Sequence, residues 1–289
     1  MTPEEQPKAH SPAPSNGSDE SSRRLRIYFL PNLMTAGNLF CGFIALTRIV
    51  EADAASANFN SVIRHALFYI FLAGIFDLLD GRVARMGGTD SPFGREFDSL
   101  ADLISFGAAP AFLVHRIVLR DIFAQIGRPE IGWFIASIYL ICGALRLARF
   151  NCLSAMGSGS GKEFLGFPIP AAALLVASLT LFLLWWDEKF MTTGAWRWIL
   201  PAILLFLSFV MVSEVKYPSF KNLDLRTKRN FTKTVISVLF IGGLFMLREI
   251  VLPIILPILI TAYLLYGFVR PRISRKMRDE IEVEDQEED

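Results

Sequence analysis

Eight stretches of the chain are apolar and almost free of charge, and short polar or charged segments separate them. They lie near 30–49, 63–85, 98–119, 132–151, 168–186, 195–213, 233–248 and 250–269. A helix of about 20 apolar residues crosses the roughly 30 Å of bilayer hydrocarbon, and shorter runs still span when flanking residues compensate. The pattern predicts an all-α fold, a polytopic transmembrane helix bundle of about eight spans. The seventh run is short and nearly abuts the eighth, so seven and eight spans both remain open. Composition agrees with a membrane protein: 53% of the 289 residues are hydrophobic and 20% charged, with a mean hydropathy of +0.42.

Outside the spans no segment is long enough for a separate soluble domain. Residues 1–24 are rich in Pro, Ser and Glu, lack an apolar run, and carry Asp19 and Glu20 where a signal peptide would be basic. They are read as a disordered cytosolic tail. Residues 25–270 form the membrane domain. Residues 271–289 start basic with Arg272, Arg275, Lys276 and Arg278 and turn acidic, as expected of a charged cytosolic tail.

Charge position carries more information than charge sum. The formal net charge is +1, from 29 Lys and Arg against 28 Asp and Glu, which gives no basic surface for a nucleic-acid partner. Alternating eight spans from a cytosolic N-terminus puts Arg23, Arg24, Arg26, Arg82, Arg85, Arg146, Arg149 and the lysine- and arginine-rich 216–233 loop on one side. The excess of Lys and Arg in short loops marks the cytosolic face, so both termini are expected there. Arg116, Arg120 and Arg128 fall on the other side and run against this bias. Cys41, Cys142 and Cys152 have no metal-ligand spacing and are read as packing residues.

Four carboxylates stand at the cytosolic ends of the second and third spans: Asp77, Asp80, Asp98 and Asp102. Spacings of three and four bring each pair to one helix face, so two facing helices would aim four acids at one point. Ionisable groups at a membrane boundary need partners. Four clustered carboxylates call for one or two hard divalent cations with oxygen ligands, Mg²⁺ or Mn²⁺, which also suit phosphate chemistry. Gly81 and Ala84 continue the face of Asp77 with almost no side chain, a surface on which something flat can lie, and Arg85 adds a planar fork for phosphate oxygens. Asn32 and Thr35, at the start of the first span, supply polar groups at the same depth that could line a nucleotide pocket.

The run Asp77-x2-Asp80-Gly81-x2-Ala84-Arg85-x8-Gly94-x3-Asp98-x3-Asp102 holds eight fixed positions in 26 residues and resembles the signature of the CDP-alcohol phosphatidyltransferase family. The stretches LPNLMTAGNLFCGFIAL (30–46), DSLADLISFGAAPA (98–111), CGALRLARFN (142–151), GFPIPAAA (166–173) and FKNLDLR (220–226) look like the branch that acts on serine. The resemblance spans roughly 25–270 and implies a six-helix catalytic core and two metal ions on the four aspartates. It implies that the CDP group lies on the glycine and alanine face, with Gly94 part of that site, that Asp102 serves as general base, and that the protein is a homodimer. The substrates it implies are CDP-diacylglycerol, drawn from the membrane lipids, and L-serine; phosphatidylserine and CMP are the products.

Serine carries a carboxylate and an ammonium group, so its pocket needs a fixed cation. Arg146, Arg149 and Asn151, level with the carboxylates at the cytosolic end of the fourth span, are the candidates for an acceptor or phosphate pocket. No Ser, Cys or His sits as a covalent nucleophile with a base, so a single displacement is expected. The competing readings are the same chemistry with glycerol 3-phosphate or an inositol phosphate as acceptor, and, in another class, a divalent-cation transporter using the acids as its pathway.

Overall fold

The computed structural model describes residues 29–87, 91–155, 163–190, 198–218 and 251–269. Five helices are long and apolar enough to cross a membrane: α1 (Phe29–Glu51), α2 (Phe59–Gly87), α3 (Pro92–Gln125), α4 (Pro129–Ala155) and α5 (Ile169–Phe190). Two shorter apolar helices follow, α6 (Ile199–Val212) and α7 (Pro253–Val269). These match seven of the eight expected runs, and the run at 233–248 lies outside the described residues, as do the tails at 1–24 and 271–289. The chain is an integral membrane protein of helical architecture.

Among the described residues the departure from an all-α fold is a two-stranded antiparallel ribbon, β1 (Glu163–Leu165) with β2 (Lys216–Pro218), in which Phe164 pairs with Tyr217. Its strands adjoin Pro168 and end at Pro218, and proline interrupts helical hydrogen bonding. The ribbon continues through Gly166 N–H to Val215 O (2.9 Å) and Phe167 N–H to Val210 O (3.3 Å), tying the start of α5 to the end of α6.

Burial identifies the centre of the bundle. In the apolar stretch of α3, 72% of positions are buried inside the protein, against 28–33% in α1, α2 and α4, so α3 is the axis and the others face lipid. Close packing around it uses small residues: Ala101, Ala109, Ala172, Ala173 and Ala177 have no exposed surface. Phe40, Phe43, Phe68, Phe134 and Phe209 point outward, where hydrocarbon is their natural solvent. Exposed Trp133, Trp186 and Trp198 fit the aromatic belts found at membrane boundaries.

The helix α3 starts at Pro92, six residues before the predicted span. Ser91 caps it, its hydroxyl accepting Gly94 N–H at 3.0 Å, and Pro92 at the first turn forgoes a donor that would be unpaired anyway. Two π-helical stretches interrupt it, Leu103–Ala108 and His115–Leu119. Pro110 has no amide hydrogen for the Phe106 carbonyl four residues earlier; the buried Tyr139 hydroxyl of α4 donates to that carbonyl instead, at 3.1 Å. At the far end of α3 the Arg116 guanidinium donates to the Ala52 carbonyl just past α1, from Nε at 2.6 Å.

Candidate active site

Close approach of α1 to α3 sets the site. A side chain at Gly42 would overlap Ser105, so only glycine lets the two backbones come this near. The Ser105 hydroxyl then donates to the Asn38 carbonyl at 3.0 Å, locking the register. One face of α1 thereby presents Asn32, Thr35 and Asn38, three residues apart, to the acids of α2 and α3. Thr35 Oγ1 donates to Asp80 Oδ2 (3.0 Å), and Asn38 Nδ2 donates to Asp102 Oδ1 (3.0 Å).

Three of the four acids expected at one point converge there. Asp77, Asp98 and Asp102 each offer a carboxylate oxygen, and these oxygens lie within 4.8 Å of one another. Asp80, 6% exposed, stands beside them and interacts with Asp77 and Asp98. Two unit charges at 4.8 Å repel by about 3.5 kcal/mol at an effective dielectric of ~20, and three such pairs together, about 10 kcal/mol, are comparable with the whole stability of an ordinary fold. Ion pairs within 4 Å among the described residues join Arg48 to Glu51, Arg64 to Glu188 and Arg149 to Glu214; none takes an acid of the cluster. Asp98 Oδ1 is buried with no hydrogen-bond partner. A set of hard oxygen donors with an unsatisfied buried oxygen fits a divalent cation.

The basic candidates separate. Arg146 is 8% exposed and lies in the electrostatic environment of Asp102 and Asp77, its Nε buried without a partner. Its guanidinium carbon sits 5.7 Å from the Phe150 ring centre. Arg149, only three positions on, turns to the end of α6 and donates to Val212 O (3.2 Å). Asn151 donates to Glu96 Oε2 (3.2 Å) and Ser99 Oγ (3.0 Å), joining α4 to α3.

On the expected nucleotide side, Asn32 lies beside Gly94: a Cβ on Gly94 would be 3.5 Å from Asn32 Oδ1, and Asn32 Nδ2 is buried without a partner. Gly81 follows Asp80 on α2, and Ala84 and Arg85 occupy its last turns, their side chains outside the described set. Asn38, with no exposed surface, is the residue that the sequence reading omitted. The signal was present: Asn32, Thr35 and Asn38 continue one spacing of three along an otherwise apolar helix.

The model of the CDP-alcohol phosphatidyltransferase family matches residues 28–212. A CDP-diacylglycerol–serine O-phosphatidyltransferase of Helicobacter pylori is 35% identical over 246 residues, 84% of this chain and 91% of that protein. One from Bacillus subtilis is 33% identical over 194 residues, covering 67% of this chain and 92% of that protein. An archaetidylserine synthase of Methanothermobacter thermautotrophicus is 33% identical over 192 residues, 65% of this chain and 69% of its own length. A match of 246 residues cannot fit within a segment ending at residue 212, so similarity to the Helicobacter protein continues beyond the part shared by the family as a whole.

Proposed function

This chain belongs to the CDP-alcohol phosphatidyltransferase family, and from that premise we propose that it transfers the phosphatidyl group of CDP-diacylglycerol to the hydroxyl of L-serine, releasing CMP. The observation that carries the reading is the convergence of Asp77, Asp98 and Asp102 beside a buried Arg146. A cluster at one end of two helices, hydrogen-bonded from a third, favours chemistry over a transport pathway, which would distribute acids along the bilayer. Serine, rather than a phosphorylated alcohol, is the acceptor because one buried arginine suffices for one carboxylate; Arg149 and Asn151 are committed to α6 and α3.

In this mechanism Asp77, Asp80, Asp98 and Asp102 hold two ions, Mg²⁺ or Mn²⁺. When bound, such ions supply charge neutralisation for the pyrophosphate as its bond breaks. Asn32, Thr35, Gly81, Ala84, Arg85 and Gly94 form the CDP site; Thr35 also fixes Asp80. Asn38 holds one oxygen of Asp102, so the carboxylate is oriented when it takes the proton of the serine hydroxyl. The serine oxygen attacks the phosphorus attached to diacylglycerol, the bond to the CMP oxygen breaks, and phosphatidylserine leaves sideways into lipid. Arg146 faces the acceptor, and Arg149 and Asn151 brace the rim of its pocket by their bonds to α6 and α3.

The same reading extends to the membrane setting. It assigns residues 25–270 to one catalytic membrane domain of eight spans around a six-helix core, with both termini and the active site cytosolic, and a homodimer as the assembly. Release of CMP from CDP-diacylglycerol by the purified protein tests the function, with L-serine, glycerol 3-phosphate and inositol phosphate compared as acceptors. Release that depends on L-serine is expected; release with a phosphorylated acceptor alone would overturn the serine assignment.

A further inference from the structure

Arg116, Arg120 and Arg128 run against the charge bias of the loops, and two of them share a cavity. Arg116 and Arg120 line a space of about 380 Å³ with His115, Phe112, Trp133 and Val50, where the end of α1 and the last turns of α3 meet the start of α4. That volume falls in the range of about 300–1,000 Å³ usual for small-molecule sites. Val50 stands twelve residues beyond Asn38 on α1, about 18 Å along the helix axis. The cavity therefore lies at the end of the bundle away from the acid cluster, which Asn38 touches.

One wall is cationic. Arg116 is held in place, its Nε and Nη2 both donating to the Ala52 carbonyl, which leaves Nη1 without a bond among the described residues. In the π stretch of α3 the Arg120 amide donates to the His115 carbonyl. The Arg120 side chain is exposed, and no ion pair among the described residues takes either arginine. No carboxylate lines the cavity. Asp121, next in the chain, lines a different one, and Glu51 is paired with Arg48.

The other wall is aromatic and apolar. The Trp133 ring stacks on His115 at 3.7 Å and 25°, and meets Phe112 edge-on at 5.4 Å. Val50 is 63% exposed and Trp133 50%, so this wall faces hydrocarbon at a depth that suits tryptophan. Two guanidiniums without acids, set over an apolar surface at the membrane boundary, complement a molecule with an anionic phosphate head and an acyl tail.

We propose that this cavity binds an anionic phospholipid, whose phosphate lies between Arg116 and Arg120 and whose acyl chains run along Val50 and Phe112. The site is separate from the one at which the substrate lipid reacts, and it does not depend on which acceptor is used.

Its test counts the lipid retained by the purified, delipidated full chain in native mass spectrometry during titration with phosphatidylglycerol or phosphatidylcholine. Wild type, Arg120→Gln and Arg128→Gln are compared. Arg128 is exposed at the same end of the bundle but does not line the cavity, and surface substitutions of this kind leave the melting temperature without lipid nearly unchanged. Wild type is expected to bind phosphatidylglycerol several-fold more tightly than phosphatidylcholine. Arg120→Gln should weaken phosphatidylglycerol about fivefold, the effect of one arginine at a lipid surface, and leave phosphatidylcholine within about twofold. Arg128→Gln should change neither. Equal affinity for the two lipids, an unchanged Arg120→Gln, or equal losses in both variants, the mark of diffuse surface charge, would overturn the proposal. So would displacement of the lipid by excess inorganic phosphate, which would make this a site for a free anion, or a loss of dimer in Arg120→Gln with lipid retention unchanged, which would make it an interface between copies.

Discussion

Replacing Asn38 by Ala removes a donor from Asp102 while leaving the backbone carbonyl by which α1 is bonded to Ser105. The Nδ2 to Oδ1 bond is 3.0 Å long, buried, and made to a carboxylate. Such bonds contribute about 1.5–3 kcal/mol, so kcat should fall about 10- to 100-fold. The bond from Ser105 reaches the backbone carbonyl of residue 38, which any side chain provides, so α1 keeps its seat on α3. The melting temperature of the purified variant should therefore move by only a few degrees. Asn38→Asp separates orientation from mere occupancy of the space. It sets a second charge about 3 Å from Asp102, a repulsion of about 5.5 kcal/mol at an effective dielectric of ~20, and should be more damaging than Ala despite its near-identical shape. Initial rates of CMP release with saturating CDP-diacylglycerol and L-serine give kcat directly. An Asn38→Ala enzyme within twofold of wild type, or an Asn38→Asp enzyme more active than Asn38→Ala, would refute the role assigned to this side chain.

Chelation with EDTA should abolish CMP release, and Mn²⁺ or Mg²⁺ should restore it; activity that survives exhaustive chelation would remove the metals from the account. Gly42→Ala puts a methyl where Ser105 lies, and overpacking of this kind costs about 1–3 kcal/mol, to be seen as a lowered melting temperature with reduced kcat. Tyr139→Phe strands the Phe106 carbonyl beside Pro110 and should destabilise by about 1–3 kcal/mol, with KM for both substrates unchanged in steady-state assays.

The transmembrane helices were legible because hydrophobicity over 18 or more residues is a local property: α1, α2 and α4 cover their predicted runs, and α5 starts one residue into its own. The start of α3 was not, since Ser91, Pro92 and Gly94 read as a polar loop until the serine is seen to cap the helix. The acid cluster was legible from spacing alone, since i, i+3 and i, i+4 fix a helix face. Sorting Arg146 from Arg149 was beyond the sequence: three positions apart, they share a face, and only the packing of α6 and the ribbon draws Arg149 away. The ribbon itself joins two three-residue segments some 50 positions apart, and neither has a pattern of its own. The first π stretch of α3 holds Ser105, which is bonded to α1, and ends two residues before Pro110, features that local propensity does not reveal.

The central claim is that the serine hydroxyl displaces CMP at the lipid phosphorus. Incubation of the purified protein with CDP-diacylglycerol and L-serine carrying ¹⁸O in its hydroxyl tests it most directly, with the lipid product read by mass spectrometry in wild type and Asp102→Asn. The account predicts phosphatidylserine that retains the label, one CMP for each lipid formed, and no product from Asp102→Asn. CMP release accompanied by phosphatidic acid in place of labelled phosphatidylserine, or full turnover by Asp102→Asn, would contradict it.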